Sequence, residues 1–185
     1  MFIQTEATPN PATLKFLPGR DVLGTGTRDF RDPAEAATQS LLAGKLFGIA
    51  GVTGVFFGPD FITVTKGEAQ WPHLKPAILG VIMEHYMSGQ PVMNTAKPEE
   101  AGEEEFDPKD AEIVETIKEL LETRVRPAVA QDGGDITFRK YADGIVYLNM
   151  RGSCQGCPSS TATLRGGIQN LLRHFVPEVQ EVRAS

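Results

Sequence analysis

Cysteine is nearly absent from this chain: its 185 residues include two, Cys154 and Cys157. Two are too few to staple a secreted domain. At this spacing a disulfide would close so short a loop that it would remove little unfolded-state entropy. A reducing compartment and a chemical role for the thiols follow. Basic residues are also in short supply, with 18 Lys and Arg against 24 Asp and Glu and a net charge of −6. Such a chain lacks the basic surface that nucleic acid or an anionic membrane requires, so neither is expected as a partner. No apolar run reaches the ~18–20 residues that span a bilayer. The opening MFIQTEATPN has no basic patch followed by an apolar core, so no signal peptide is expected.

What is present is globular, with 41% hydrophobic and 23% charged residues. One stretch departs from that balance. Between Met87 and Lys109, SGQPVMNTAKPEEAGEEEFDPKD holds Glu99, Glu100, Glu103, Glu104, Glu105 and Asp107, which repel one another and favour a solvated spacer. The expected organisation is therefore a domain over 1–88, an acidic flexible linker over 89–109 and a second domain over 110–185. The fold class is α+β, two small α/β-sandwich-like domains.

In the first domain, Phe2–Glu6 and Thr13–Leu17 read as strands, and Pro9 and Pro11 exclude helix between them. Asp32 and Pro33 can start a helix over AEAATQSLLAGKLFGI. Val52–Phe57 and Phe61–Thr65 are strands joined by the turn residues Gly58-Pro-Asp60. WPHLKPAILGVIMEHYMSG is a helix with Leu74, Ile78, Val81, Ile82 and His85 on one face. The second domain has the expected order α–β–β–α–β. Ile113, Ile117, Leu120 and Leu121 stripe its first helix, which Pro127 kinks or ends. Strands over 136–141 and 145–150 flank a hairpin turn at Ala142-Asp-Gly144. A helix over 158–175 presents Leu164, Ile168, Leu171, Leu172 and Phe175, and a last strand covers 179–182.

The cysteines fall between the second strand and that helix, in RGSCQGCPSS. A Cys-x-x-Cys pair can aim both sulfurs at one metal centre. Gly152 and Gly156 give the loop freedom to wrap a bulky ligand, and Pro158 suits the first helical position. A helix start stabilises negative charge, which favours the thiolates that bind iron or zinc. Ser153, Ser159, Ser160 and Thr161 offer hydroxyl donors toward cluster sulfurs, or simply cap the helix. An iron–sulfur cluster usually takes four thiolates, and one chain has two. His73 and His85 lie in the other domain, and His174 at the far end of the helix. Two copies related by a two-fold axis would supply all four sulfurs. So shallow and shared a site suits a carrier. Two other readings stay open: a thiol–disulfide oxidoreductase, and an interaction module bridged by zinc. The redox fold needs a βαβ context with a parallel strand leading in, whereas the strands before the cysteines read as an antiparallel hairpin.

The stretch from Ile113 to Val182, with RPAVAQDGGDI and GSCQGCPSS, resembles the NifU C-terminal domain. IQTEATPNPATLKFLPG and GVFFGPDFITVTK resemble the N-terminal domain of the Nfu scaffold proteins. The resemblance implies a non-enzymatic scaffold or carrier, with one 4Fe–4S cluster per homodimer held by Cys154 and Cys157 of each subunit. Its partners would be cluster-donor proteins and the apo iron–sulfur proteins that receive the cluster. The first domain would recognise targets or assembly partners. Two-domain members occur in bacteria and mitochondria; with no leader expected, the bacterial cytoplasm is the expectation and the mitochondrial matrix the alternative.

Several features have plain explanations. Asp132-Gly-Gly-Asp135 reads as a turn. Gly166 and Gly167, costly inside a helix, suggest close packing of that helix on the sheet. Met83, Met87 and Met93 read as core or loop residues, and Trp71 anchors a helix start. Phe56, Phe57 and Phe61 would mark a protein-binding patch if exposed.

Overall fold

The computed structural model describes residues 2–94, 104–152 and 158–184, with backbone alone over 158–164. The chain forms two compact units, Met1–Glu99 and Glu100–Ser185.

The first unit is an antiparallel five-stranded sheet ordered β1-β2-β5-β4-β3. Its strands are β1 (Gln4–Ala7), β2 (Thr13–Leu17), β3 (Arg28–Phe30), β4 (Val52–Phe57) and β5 (Ile62–Lys66). Three helices, α1 (Pro33–Gln39), α2 (Leu41–Phe47) and α3 (Trp71–Ser88), share a core with it. That core joins Phe16, Val55, Phe57, Ile62 and Val64 of the strands to Ala36, Leu42, Leu46, Leu74, Ile78 and Ile82 of the helices. The single helix expected after Pro33 is two. Ser40 has extended backbone, φ −147° and ψ 123°, and its hydroxyl accepts from the Ala43 N–H at 3.1 Å to cap α2. Asp32 caps α1 as expected, accepting from Ala34 N at 2.8 Å. Trp71 anchors the start of α3 through Nε1, which donates to the Pro11 carbonyl at 3.1 Å.

The phenylalanine patch is overturned: Phe56, Phe57 and Phe61 are 2%, 0% and 2% exposed. Phe57 meets Phe30 edge-on in the core at 5.4 Å, while Phe56 packs against Phe61 at 6.0 Å. The turn between β4 and β5 needs its glycine for this, because a Cβ on Gly58 would stand 2.3 Å from the Phe61 ring.

The second unit is a mixed sheet ordered β6-β7-β8-β9, from β6 (Glu105–Phe106), β7 (Gly134–Ala142), β8 (Ile145–Gly152) and β9 (Glu181–Ala184). A helical run of α4 (Ala111–Leu120), a π turn (Leu121–Val125) and α5 (Arg126–Gln131) precedes β7, and α6 (Pro158–Phe175) links β8 to β9. Val114, Ile117, Leu121 and Val125 share a core with Ile136, Val146, Leu148, Ile168 and Leu172. Pro127 does not end the first helix. Its missing N–H and its ring disturb the preceding turn, and the helix absorbs this by widening over Leu121–Val125 before continuing. The β7–β8 turn puts Asp143 at φ 52° and Gly144 at φ 77°, the left-handed pair that a two-residue hairpin loop requires.

Four expectations are corrected here. Residues 104–107 of the expected linker are not free spacer: β6 pairs in parallel with β7. Gly166 and Gly167 are exposed, and a Cβ on either would meet nothing within 4 Å, so close packing does not explain them. Phe175, the last residue of α6, is 45% exposed beside Arg124, whose guanidinium lies 5.0 Å from the ring. Finally, β8 and β9 are parallel with α6 as the crossover, so the hairpin is not the whole context of the cysteine segment. No helix among the described residues is long and apolar enough to cross a membrane.

Candidate functional site

Cys154 and Cys157, with Ser153, lie outside the described residues, and Ser159, Ser160 and Thr161 are described by backbone alone. The ground on both sides is described. β8 ends at Gly152, whose φ of 64° is left-handed, a conformation that glycine adopts without strain. The helix after the cysteines begins at Pro158. The segment between therefore joins the C-terminal end of a central strand to the end of α6 whose first N–H groups have no intrahelical acceptor.

The strand end beside this segment is built from small and charged residues. Gly134 pairs with Gly152, and Asp135 with Arg151. Of the Asp132-Gly-Gly-Asp135 turn, only Gly133 is left-handed, at φ 81°, and Gly134 already belongs to β7. Asp135 is not a turn residue at all. It is 3% exposed, and its carboxylate receives Arg126 Nε at 2.9 Å, Arg126 Nη2 at 3.0 Å and its neighbour's Ile136 N–H at 2.9 Å. The paired hydrogen bonds that Arg126 donates to the Asp135 carboxylate, opposed by burial, hold the pKa of the guanidinium above its usual range. Glu122, one helical turn earlier, adds a contact to Arg126 at 3.3 Å. Sequence reasoning missed this pair. The available signal was an acid opening the apolar strand pattern Ile136-Thr-Phe138, nine positions after an arginine.

His73 and His85 are both in α3 of the first unit. His174 sits near the far end of α6, about 25 Å along the helix axis from its start. Among the described residues, no group of three or more His, Cys, Asp or Glu could hold a metal ion. The ligand count thus rests on the two thiols per chain.

Comparison with known proteins covers both units. The family model "Scaffold protein Nfu/NifU N terminal" matches residues 3–89, and "NifU-like domain" matches 117–183. A Homo sapiens protein named "NFU1 iron-sulfur cluster scaffold homolog, mitochondrial" is 55% identical over 185 residues, covering 98% of this chain and 71% of that protein. A Drosophila sechellia protein of the same name is 53% identical over 184 residues, covering 98% of this chain. The chain spans 64% of that fly relative's length. The solution structure of a NifU-like protein from Saccharomyces cerevisiae is 28% identical, with a TM-score of 0.46, over 51% of this chain and 86% of that one.

Proposed function

This chain belongs to the Nfu/NifU family of iron–sulfur cluster scaffolds, and on that premise we propose that Cys154 and Cys157 of two copies together hold one 4Fe–4S cluster as cargo and pass it to apo-proteins. One observation carries the reading: the only two cysteines of the chain fall inside the NifU-like stretch, between β8 and the start of α6. Four thiolates satisfy such a cluster, so two chains complete what one begins. A cluster held at a subunit boundary leaves when the subunits part, which suits delivery. The dipole and free N–H groups at the start of α6 favour the ionised form of a thiol placed there. In this reading the second unit holds the cluster, and the first recognises targets and cluster donors. Both relatives are named mitochondrial, which supports the mitochondrial-matrix alternative and leaves the cytoplasmic expectation without support.

The test is anaerobic reconstitution with iron and sulfide, followed by absorbance and by mass under native conditions. The expected product is a coloured dimer with about four irons per two chains. Cys154→Ser and Cys157→Ser should each abolish it while leaving the far-UV circular dichroism unchanged. A colourless chain with intact thiols after reconstitution would remove the reading.

A redox reading keeps one observation in its favour. β8, α6 and β9 form the parallel βαβ context that a dithiol oxidoreductase uses. It requires a monomer that cycles between dithiol and disulfide and reduces a disulfide substrate without iron. A zinc-bridged pair would show instead as stoichiometric zinc in protein purified without added metal.

A further inference from the structure

The end of the acidic stretch behaves unlike a solvated spacer. β6 is two residues long and adds to β7 in parallel, Glu105 opposite Lys140 and Phe106 opposite Tyr141. Three side-chain contacts accompany the backbone pairing. Lys118 Nζ lies 2.8 Å from Glu104, Lys140 Nζ lies 3.0 Å from Glu105, and the Phe106 ring meets Phe138 edge-on at 6.4 Å. The two lysines come from different elements, α4 and β7, so each of the two acids meets its own cation.

This arrangement is a weakly held strand addition. The inner edge of β7 pairs with β8 from Gly134 to Ala142, whereas its outer edge pairs with β6 only at Lys140 and Tyr141. Upstream of that contact, an open groove of about 140 Å³ runs along the outer edge past Thr137 and Leu121 toward Arg126. Both residues of β6 are exposed, Phe106 at 38%, and the Glu105–Lys140 pair is exposed on both sides. Exposed ion pairs contribute little, and an edge strand offers unpaired N–H and C=O groups to any extended chain of suitable side chains.

We propose that the outer edge of β7, flanked by Lys118 and Lys140 with Phe138 below, is a strand-addition site for an extended partner segment bearing two carboxylates followed by an aromatic ring. Glu104–Phe106 occupies the site in cis and yields it to the partner. The occupant already seated there defines the chemistry accepted: acid against Lys118, acid against Lys140, ring against Phe138. The tether gives the cis segment a high effective concentration, so a partner gains access through more contacts along the groove or by drawing the tether away. The inference does not depend on cluster binding.

The probe is a fluorescein-labelled peptide copying residues 102–109, read by anisotropy against the full chain. The variant E104Q/E105Q/F106A empties the site. It should bind the peptide at least about tenfold more tightly than the native chain does. Adding K118E/K140E to that variant should abolish binding, and Phe→Ala in the peptide should weaken it. Hydrogen exchange should show the outward-facing Tyr141 amide gaining protection when the peptide binds, which also confirms that the variant is folded. Equal binding by native and emptied chains, no binding by the emptied chain, or binding indifferent to the lysine reversals would each overturn the proposal. A native dimer that is lost in the F106A chain would overturn the assignment of the occupant to a partner, because the segment would then be exchanged between copies. Iron uptake by the emptied chain should equal that of the native chain, which keeps this test separate from the cluster reading.

Discussion

His85 in the first unit and Asp135 in the second are both buried, at 0% and 3% exposure, yet they are accommodated in opposite ways. Asp135 receives a forked guanidinium and a backbone N–H. Among the described residues neither ring nitrogen of His85 meets a partner in good hydrogen-bonding geometry, although the backbone at Pro91 and Gln90 comes near it; the ring packs edge-on against Tyr86 at 5.9 Å. A carboxylate near neutral pH stays charged unless its proton affinity rises greatly, so its burial requires a cation. A histidine can shed its charge at little cost and enter the core neutral. Burial, followed by the nearby Lys45 ammonium, pushes the His85 pKa below its ordinary value, against a weaker opposite pull from the backbone at Pro91 and Gln90. The second unit thus depends on a specific pair beside its cysteine segment, and the first tolerates a silent polar group.

Breaking the pair should have the largest effect. Arg126→Ala takes the forked guanidinium away from the buried Asp135 carboxylate. Removing one partner of a fully buried pair costs about 3–5 kcal/mol, and the partial exposure of Arg126 lowers the expectation to about 2–3 kcal/mol. The loss should appear in the second unit, followed by hydrogen exchange of β7 and β8. The fluorescence of Trp71, the only tryptophan and a residue of the first unit, should report an unchanged transition. Adding Asp135→Asn to Arg126→Ala removes both charges and keeps an oxygen for the Ile136 N–H. That double variant should recover at least about 1 kcal/mol of the loss. If it recovers none, then packing of the arginine stem, not the charge, accounts for the effect.

The other side of the comparison is sharpened with pH. Above the ordinary histidine value of 6.5, His85 is neutral whether the chain is folded or not, and stability is full. As pH falls below it, the unfolded chain takes up a proton that the folded chain refuses. Stability then declines, by up to about 1.4 kcal/mol per pH unit, until the folded form is protonated as well. His85→Leu should remove this part of the slope below pH 6.5 and change stability at pH 8 by less than about 1.5 kcal/mol. Urea midpoints of the Trp71 signal at pH 8, 6 and 5 decide it, and an unchanged slope in the variant would show that His85 is not its source.

The same contrast between strong and faint signals governs what could be read from the sequence. Thr13–Leu17, Val52–Phe57 and Pro158–Phe175 match their expected bounds because alternation, turn residues and a helix-starting proline coincide there. β3 escaped because three residues, Arg28–Phe30, carry no alternation to detect. The break at Ser40 escaped because no Gly or Pro marks it. Its cause is tertiary in part, since the Ser40 hydroxyl also donates to the Val92 carbonyl, 52 positions away. β6 escaped because a run of acids reads as solvated until Lys118 and Lys140 are seen beside it. For the candidate site the balance is reversed. The cysteines were read wholly from sequence, by type, spacing and number, and the fold adds their setting between β8 and α6. The Arg126–Asp135 pair was not legible, because pairing across nine positions depends on a helix widened at Leu121–Val125 that no local pattern announces.

The smallest expected effect tests whether position, and not charge alone, separates a necessary ion pair from an incidental one. Glu122 also contacts Arg126, at 3.3 Å and one helical turn away, but its side chain is 72% exposed against 4% for Asp135. The two carboxylates present the same chemistry to the same guanidinium. Water already stabilises the exposed one, so removing it strands nothing: Arg126 keeps its fork to Asp135. Glu122→Ala should therefore cost no more than about 0.5 kcal/mol, and less in 0.5 M salt, where exposed pairs are screened. Hydrogen exchange of β7 measured beside Arg126→Ala gives the comparison directly. A Glu122→Ala loss approaching that of Arg126→Ala would mean that the guanidinium is held from the helix side, and that Asp135 is buried by its neighbours and not by its cation.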